Sequence, residues 1–276
     1  MTTLDCIVVD MEDATAALDD VKLSGRKNVM DFILETGGGA SPSSGKHPGI
    51  VVRVNDPLST PWGREDIDAL CSLSTPPSAI VLPKAQNARE VEMIGKNLPS
   101  STRLWVMIET AQAVQNVDDI ASVAKVETLV FGSNDFSKDI GATLTQRREP
   151  LLYAMGRTIC AAKSNQKTVI DGVFMNLTDG AQMEADLRSQ CQQGKEMGFD
   201  GKSLIHPKQV EIVNDVWAPN PEAIDHASRV IACYTEAMQQ GKGVAVLDGK
   251  LIEALHVDQA KALLLMAHAI EAKNGA

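Results

Sequence analysis

Seven ionisable residues stand at the ends of seven short apolar runs: Asp10, Arg53, Lys84, Glu109, Asp135, Asp171 and His206. Carboxylates, a guanidinium, an amine and an imidazole are the side chains of acid–base and metal-assisted chemistry. Each also has a plainer reading. Asp10 and Asp13 in "DMEDAT" suit helix capping, as does Asp135 before "FSKDIG". Lys84, after Pro83, suits a structural salt bridge, and His206 before Pro207 reads as a hydrogen-bonded structural residue. Glu109 is harder to read as a cap, because Thr110 beside it is the better one. A carboxylate at the end of a buried strand needs a partner. Arg53 in "VRVN" needs one too, and a bidentate bond to a carboxylate suits its fork.

Glu109 and Asp135 end consecutive runs. Side by side, two such carboxylates repel unless a cation sits between them. Oxygen ligands without a His or Cys cluster indicate Mg2+, with Mn2+ as the alternative. Asp139, one turn beyond Asp135, reads as a local cap or a partner of Lys138.

The elements that must position these groups follow from the pattern. The runs are "CIVVD" (6–10), "GIVVRV" (49–54), "SAIVLPK" (78–84), "LWVMIE" (104–109), "TLVFGSND" (128–135), "TVIDGV" (168–173) and "GKSLIH" (201–206). Continuous Val/Ile-rich runs read as strands buried on both faces. Between them, "AREVEMIGKNL", "AVQNVDDIASVAKV", "PLLYAMGRTICAAKSN" and "ADLRSQCQQGKEMG" carry apolar residues at helical spacing, the last stopping at Gly198. Strands alternating with helices give βαβ units and a parallel sheet. In a parallel barrel the strand ends converge on one mouth, which is where barrel enzymes hold their chemistry. A closed barrel needs eight strands; seven are counted, and the chain begins directly at one. The expected fold is therefore an α/β TIM (β/α) barrel lacking its first βα unit. Residues 1–218 form that catalytic barrel. Residues 219–276 are expected to form a helix–hairpin–helix appendage that packs on a neighbour. The stretch "GGGASPSSGKHPG" (37–49) reads as a flexible loop, since it lacks the spacing of a phosphate-binding loop.

The 276 residues are 44% hydrophobic and carry a formal net charge of -10, which argues against a nucleic-acid partner. Five irregularly spaced cysteines without a C-x-x-C pair suggest neither a disulfide framework nor a zinc site, and fit a reducing, cytoplasmic setting. No apolar run reaches membrane-spanning length, and the N-terminal residues do not read as a secretory signal.

Taken together, "VVDMEDA", "VVRVN", "VLPKAQNAREVE", "VMIETAQAV", "FGSNDFSKDIGA", "IDGVF" and "GFDGKSLIHPKQ" resemble the citrate lyase β-subunit-like branch of the HpcH/HpaI aldolase family, in order and over essentially the whole chain. The resemblance implies a homotrimeric TIM barrel and Mg2+-dependent carbon–carbon lyase chemistry. The implied substrates are β-hydroxyacyl-CoA esters of the malyl-CoA, methylmalyl-CoA or citramalyl-CoA type, cleaved to an acyl-CoA and a 2-keto acid (glyoxylate, pyruvate or oxaloacetate). It also implies residue roles. Glu109 and Asp135 match the metal ligands, and Arg53 the arginine on the keto-acid carboxylate. The backbone of Gly132, Ser133 and Asn134 is expected near that carboxylate. Glu12 and Asp13 match an acidic pair near the metal's waters, and Lys84 a lysine at the site's edge. Lyases of this kind carry a lid aspartate that enters a neighbouring subunit as acid/base; here "GKLIEAL" puts Glu253 there. The missing first unit, which often helps to bind CoA, and the longer Glu253 leave other readings open. These are a citryl thioester lyase subunit, a catalytically impaired binding protein, and a Schiff-base aldolase using Lys84.

Overall fold

The computed structural model describes residues 4–37 and 48–274; most of the expected glycine-rich loop lies outside the described residues. The chain divides into two compact units, the larger ending at Val213 and the smaller beginning at Asn214.

Seven strands build the larger unit's sheet: β1 (Cys6–Asp10), β2 (Gly49–Arg53), β3 (Ala79–Leu82), β4 (Arg103–Ile108), β5 (Val126–Phe131), β6 (Thr168–Asp171) and β7 (Gly201–Lys202). They pair in sequence order, every pair parallel, with β1 and β7 at the edges. The result is a curled half-barrel of TIM type. Parallel strands are covered on both faces, which is why they read as unbroken apolar runs. In β4 the alternation is visible: Leu104, Val106 and Ile108 are fully buried, while Trp105 and Met107 point to the other, inner face. There they join Cys6, Val51, Ala79 and Val81 in one cluster. Registers carry the same inner parity to Asp10 and Arg53, which are direct partners on β1 and β2.

The crossovers hold α1 (Asp19–Glu35), α2 (Trp62–Cys71), α3 (Ala88–Gly95), α4 (Ala111–Gln115), α5 (Val117–Ser122), α6 (Ser133–Asp139), α7 (Leu152–Ser164) and α8 (Ala181–Met197), and α9 (Lys208–Trp217) follows the last strand. Local chemistry sets their ends. Asn87 accepts the Glu90 N–H at the start of α3, and Gly198 takes the left-handed conformation that ends α8. Three expectations need correction. The helix over "AVQNVDDIASVAKV" breaks at Asn116, whose side chain donates to the Gln86 carbonyl and whose backbone leaves helical geometry. Strand β5 stops at Phe131, so Asp135 sits in the first turn of α6 and not at a strand end. Strand β7 has two residues, and His206 lies beyond it in a bend, half-buried, where its Nδ1 accepts the Lys208 N–H.

The smaller unit holds α10 (Pro221–Gln239), an antiparallel hairpin of β8 (Ala245–Leu247) and β9 (Lys250–Ile252), and α11 (Ala254–Asn274). Asn220 caps α10 through the Ala223 N–H, with Pro221 at the first helical position. Asp248 and Gly249 both take positive φ, as a two-residue Asp-Gly hairpin turn requires. Its core includes Val230, Ile252 and Val257. No helix among the described residues is long and apolar enough to cross a membrane.

Candidate active site

At the carboxyl ends of β1 to β5 the side chains converge. The Arg53 fork is taken by a protein carboxylate: Nε donates to Asp10 Oδ1 at 2.8 Å and Nη2 to Oδ2 at 2.6 Å. Asp10 also accepts the N–H groups of Glu12 and Ala14, and so shapes the "MEDA" turn. Burial alone would raise the Asp10 carboxyl, but the bond and charge of Arg53 hold it below the usual carboxylate range. The one-residue reading of Asp10 as a cap therefore missed its main task, which is to aim Arg53. A second missed residue is Lys22, whose buried ammonium donates to the Met11 and Glu12 carbonyls and to Thr15 Oγ1. It braces the same turn from beneath.

Glu12 is buried between two cations. Lys84 Nζ bonds its Oε1, and Arg53 Nη1 lies 2.7 Å from its Oε2 but off the N–H axis, so that this buried oxygen has no aligned donor. Burial raises the Glu12 carboxyl despite both cations. Asp13 is exposed and stands at the fringe, 3.8 Å from Arg53 and 4.0 Å from Lys84. Lys84 has a φ of 54°, which a residue with a side chain adopts at a cost of about 1–2 kcal/mol. That conformation aims its N–H at Glu109 Oε1, 2.8 Å away. Burial would lower the Lys84 ammonium, but Glu12, Asp13 and Glu109 raise it above the ordinary lysine value. An amine held protonated is a poor nucleophile, which counts against the Schiff-base reading.

Glu109 is 1% exposed. Thr110 Oγ1 caps α4 by accepting the Ala113 N–H, which leaves the Glu109 carboxylate to the site. Its second oxygen lies over Gly132: a Cβ there would stand 2.5 Å from Oε2 and 2.4 Å from the Glu109 Cβ. Burial pushes Glu109 up to about 7, against the Lys84 N–H and with further help from the Glu12 and Asp135 charges. Asp135 faces this group from α6, where Gly132 holds the cap position without a side-chain bond, so Asp135 is not the cap. Ser133 is buried and Asn134 half-buried beside it. A third missed residue, Gly172, closes this wall: a Cβ on it would meet Ser133 Oγ at 2.7 Å and the Phe131 carbonyl at 2.8 Å. Next to Glu12 and Lys84 opens a cleft of ≈ 370 Å³ walled by Asn55, Asp56, Thr60 and Trp62.

These residues suit a divalent cation. Glu109 and Asp135 offer hard oxygens, surrounded by more acids than bases, and Glu12 Oε2 is buried without a donor. Among the described residues no group of three His, Cys, Asp or Glu side chains forms a cage. A carboxylate pair is what Mg2+ uses when it keeps waters and takes a substrate.

One sequence candidate belongs elsewhere. Asp171 does not face the mouth. It shares the outward parity of Val169, is wholly buried, and pairs with Arg148 Nη1 at 2.6 Å and Lys202 Nζ at 2.9 Å. Glu253 is in the smaller unit, exposed between β9 and α11, with its N–H donating to His256 Nδ1.

Comparison with known proteins adds a lineage. A family model described as HpcH/HpaI aldolase/citrate lyase matches residues 1–207. A (3S)-malyl-CoA thioesterase of Cereibacter sphaeroides is 38% identical over 268 residues, covering 97% of this chain and 88% of that protein. The mitochondrial citramalyl-CoA lyase of Homo sapiens is 30% identical over 288 residues, covering 98% and 81%. The crystal structure of CitE from Mycobacterium tuberculosis in complex with magnesium, acetoacetate and coenzyme A superposes with a TM-score of 0.75 at 22% identity, over 96% of this chain and 90% of that one. At that identity the likeness is one of fold.

Proposed function

The chain belongs to the HpcH/HpaI aldolase/citrate lyase family, and on that footing we propose that it is a Mg2+-dependent carbon–carbon lyase. Its substrate is a β-hydroxyacyl-CoA of the malyl-CoA, methylmalyl-CoA or citramalyl-CoA type, cleaved to an acyl-CoA and a 2-keto acid. The observation that carries this reading is the convergence of Glu109, Asp135 and Arg53 at one mouth with a surplus of carboxylates. Glu109 and Asp135 would hold the Mg2+, which when bound supplies Lewis-acid stabilisation of negative charge on the substrate's oxygen. Arg53 is assigned to the keto-acid carboxylate: Asp10 fixes its Nε and Nη2, and Nη1, 2.7 Å from Glu12 Oε2, is the nitrogen it would share with the substrate. Glu12 and Lys84 hold the edge of the site in one geometry, and the backbone from Gly132 to Asn134 forms the wall behind the carboxylate. In cleavage a base takes the hydroxyl proton, the C–C bond breaks as the carbonyl forms, and an acid protonates the departing thioester fragment. Glu253, brought by a neighbouring subunit of a homotrimer, is assigned that acid/base work. The reverse reaction is a Claisen-type condensation.

A second reading, thioester hydrolysis, is favoured by the 38% identity to a malyl-CoA thioesterase. One assay separates the two. Protein, Mg2+ and malyl- or citramalyl-CoA are incubated, and keto acid and thiol are followed in parallel with phenylhydrazine and a thiol reagent. A lyase releases keto acid with no thiol. A hydrolase releases thiol with no keto acid. Neither product from either thioester would refute the proposal.

A further inference from the structure

Asp139 is the last residue of α6, exposed, and it plays no part in the chemistry above. It is not a partner of its neighbour Lys138. Its Oδ2 accepts the N–H of Ala111 at 2.7 Å, across 28 positions of sequence. Ala111 opens α4, two residues after Glu109. An N–H in the first turn of a helix has no partner within the helix and favours a carboxylate.

We propose that Asp139 is the positioning residue that sets the distance between the two metal carboxylates, an inference that rests on the metal reading of Glu109 and Asp135. Residues four apart on a helix share a face. The face of α6 that presents Asp139 to Ala111 therefore presents Asp135 to the same segment, which contains Glu109. The near end of this segment is tied as well: the Gly132 N–H donates to the Ile108 carbonyl at 3.0 Å. The two bonds bracket the pair. Glu109 lies between Ile108 and Ala111, and Asp135 between Gly132 and Asp139. Phe136, buried and tilted against Phe131 at 5.7 Å, gives α6 a pivot at its middle. Without the far bond α6 turns about that pivot and Asp135 shifts relative to Glu109. Mg2+ demands near-ideal octahedral geometry, so its affinity falls although both ligands remain.

The test is a calorimetric Mg2+ titration of the full-length protein, with melting temperature recorded for each variant. Asp139→Ala is expected to weaken Mg2+ binding roughly tenfold, the low end of what residues orienting metal ligands contribute. Asp139→Asn keeps an acceptor oxygen and should stay within about twofold. Ala111→Pro removes the donor at a helix position that tolerates proline, and should match Asp139→Ala. The double variant should be no weaker than either single one, because both cut the same bond. Unchanged affinity in Asp139→Ala overturns the inference and leaves the metal reading standing. A loss in Asp139→Asn as large as in Asp139→Ala overturns it in favour of long-range charge. Failure of the unaltered protein to take up Mg2+ overturns the metal reading, and this inference with it.

Discussion

Glu109→Gln should make the metal-free protein more stable at pH 8 and leave it unable to gain stability from Mg2+. The carboxyl is almost wholly buried and its value rises from 4.5 to about 7, first through burial and then through the Glu12 and Asp135 charges. A carboxyl that titrates higher in the folded state than in the unfolded chain favours the folded state while protonated. That contribution is complete below pH 4.5 and is lost as pH rises through about 7. At about 1.4 kcal/mol per pH unit the loss is on the order of 3 kcal/mol. Glutamine carries no charge at any pH, yet its oxygen still accepts the Lys84 N–H. The difference in stability between the two proteins should therefore grow progressively from pH 4.5 to about 7, shifting by about 2.5 kcal/mol in favour of Glu109→Gln between pH 5 and pH 8. In melting temperature that is roughly 5–10 °C for a unit of this size. The assay is urea or thermal unfolding of the larger unit from pH 5 to 8, with chelator and then with Mg2+. With Mg2+ the unaltered protein should regain stability by mass action and the variant should not. Mg2+ uptake should also release protons below pH 7, giving tighter binding as pH rises. A difference that stays flat across this window, or an equal gain from Mg2+ in both proteins, would refute the reasoning.

Gly132→Ala drives a methyl into the Glu109 side chain at 2.4–2.5 Å. It should cost about 1–3 kcal/mol of stability and weaken Mg2+ at least tenfold, as unfolding and calorimetry would show. Arg53→Lys cannot make the two-point bond to Asp10, so KM for the keto acid in the condensation direction should rise about tenfold or more, and an unchanged KM would contradict the role given to Arg53. Asp171→Asn strips the counter-charge from buried Arg148 and Lys202. It should destabilise by about 3–5 kcal/mol in urea while the folded fraction keeps its Mg2+ affinity, whereas loss of metal alone would return Asp171 to the mouth. Glu253→Gln should lower kcat by roughly 10²–10⁴ with Mg2+ binding untouched, and full turnover would remove Glu253 from the mechanism.

The strands were legible because a parallel sheet covered on both faces admits only apolar runs, and all seven runs begin within two residues of an observed strand's start, five of them also ending within two residues of its end. What a run does not reveal is where backbone geometry changes inside it. "TLVFGSND" reads as one strand, yet Gly132 turns it into a seven-residue helix too short to show a period. The pairing of Asp10 with Arg53 was hidden for another reason: each residue can be read singly, but the offset between two strands cannot. Nor could the sequence show that Lys84 adopts a left-handed backbone, since Pro83 restricts the residue before it and not the one after. One missed signal was available. Asp171 follows Val169 by two positions, and period-two alternation already sends it to the face opposite Ile170.

Strand-end position alone thus does not separate chemistry from scaffolding; charge balance does. Asp171 is enclosed by Arg148 and Lys202, and the Gly172 N–H and carbonyl take up further bonding capacity at 2.8 and 2.5 Å. A buried acid so surrounded is complete, and nothing more need bind there. Around Arg53, Lys84 and Lys22 stand Asp10, Glu12, Asp13, Glu109 and Asp135, five acids against three bases. The surplus falls on Glu109 and Glu12, the two carboxyls whose values are raised. Protonation relieves it at low pH, and on the function proposed above a divalent cation would relieve it near neutrality. Metal binding would then release the energy stored in that imbalance, so the burial that raises Glu109 would also favour a small, doubly charged ion.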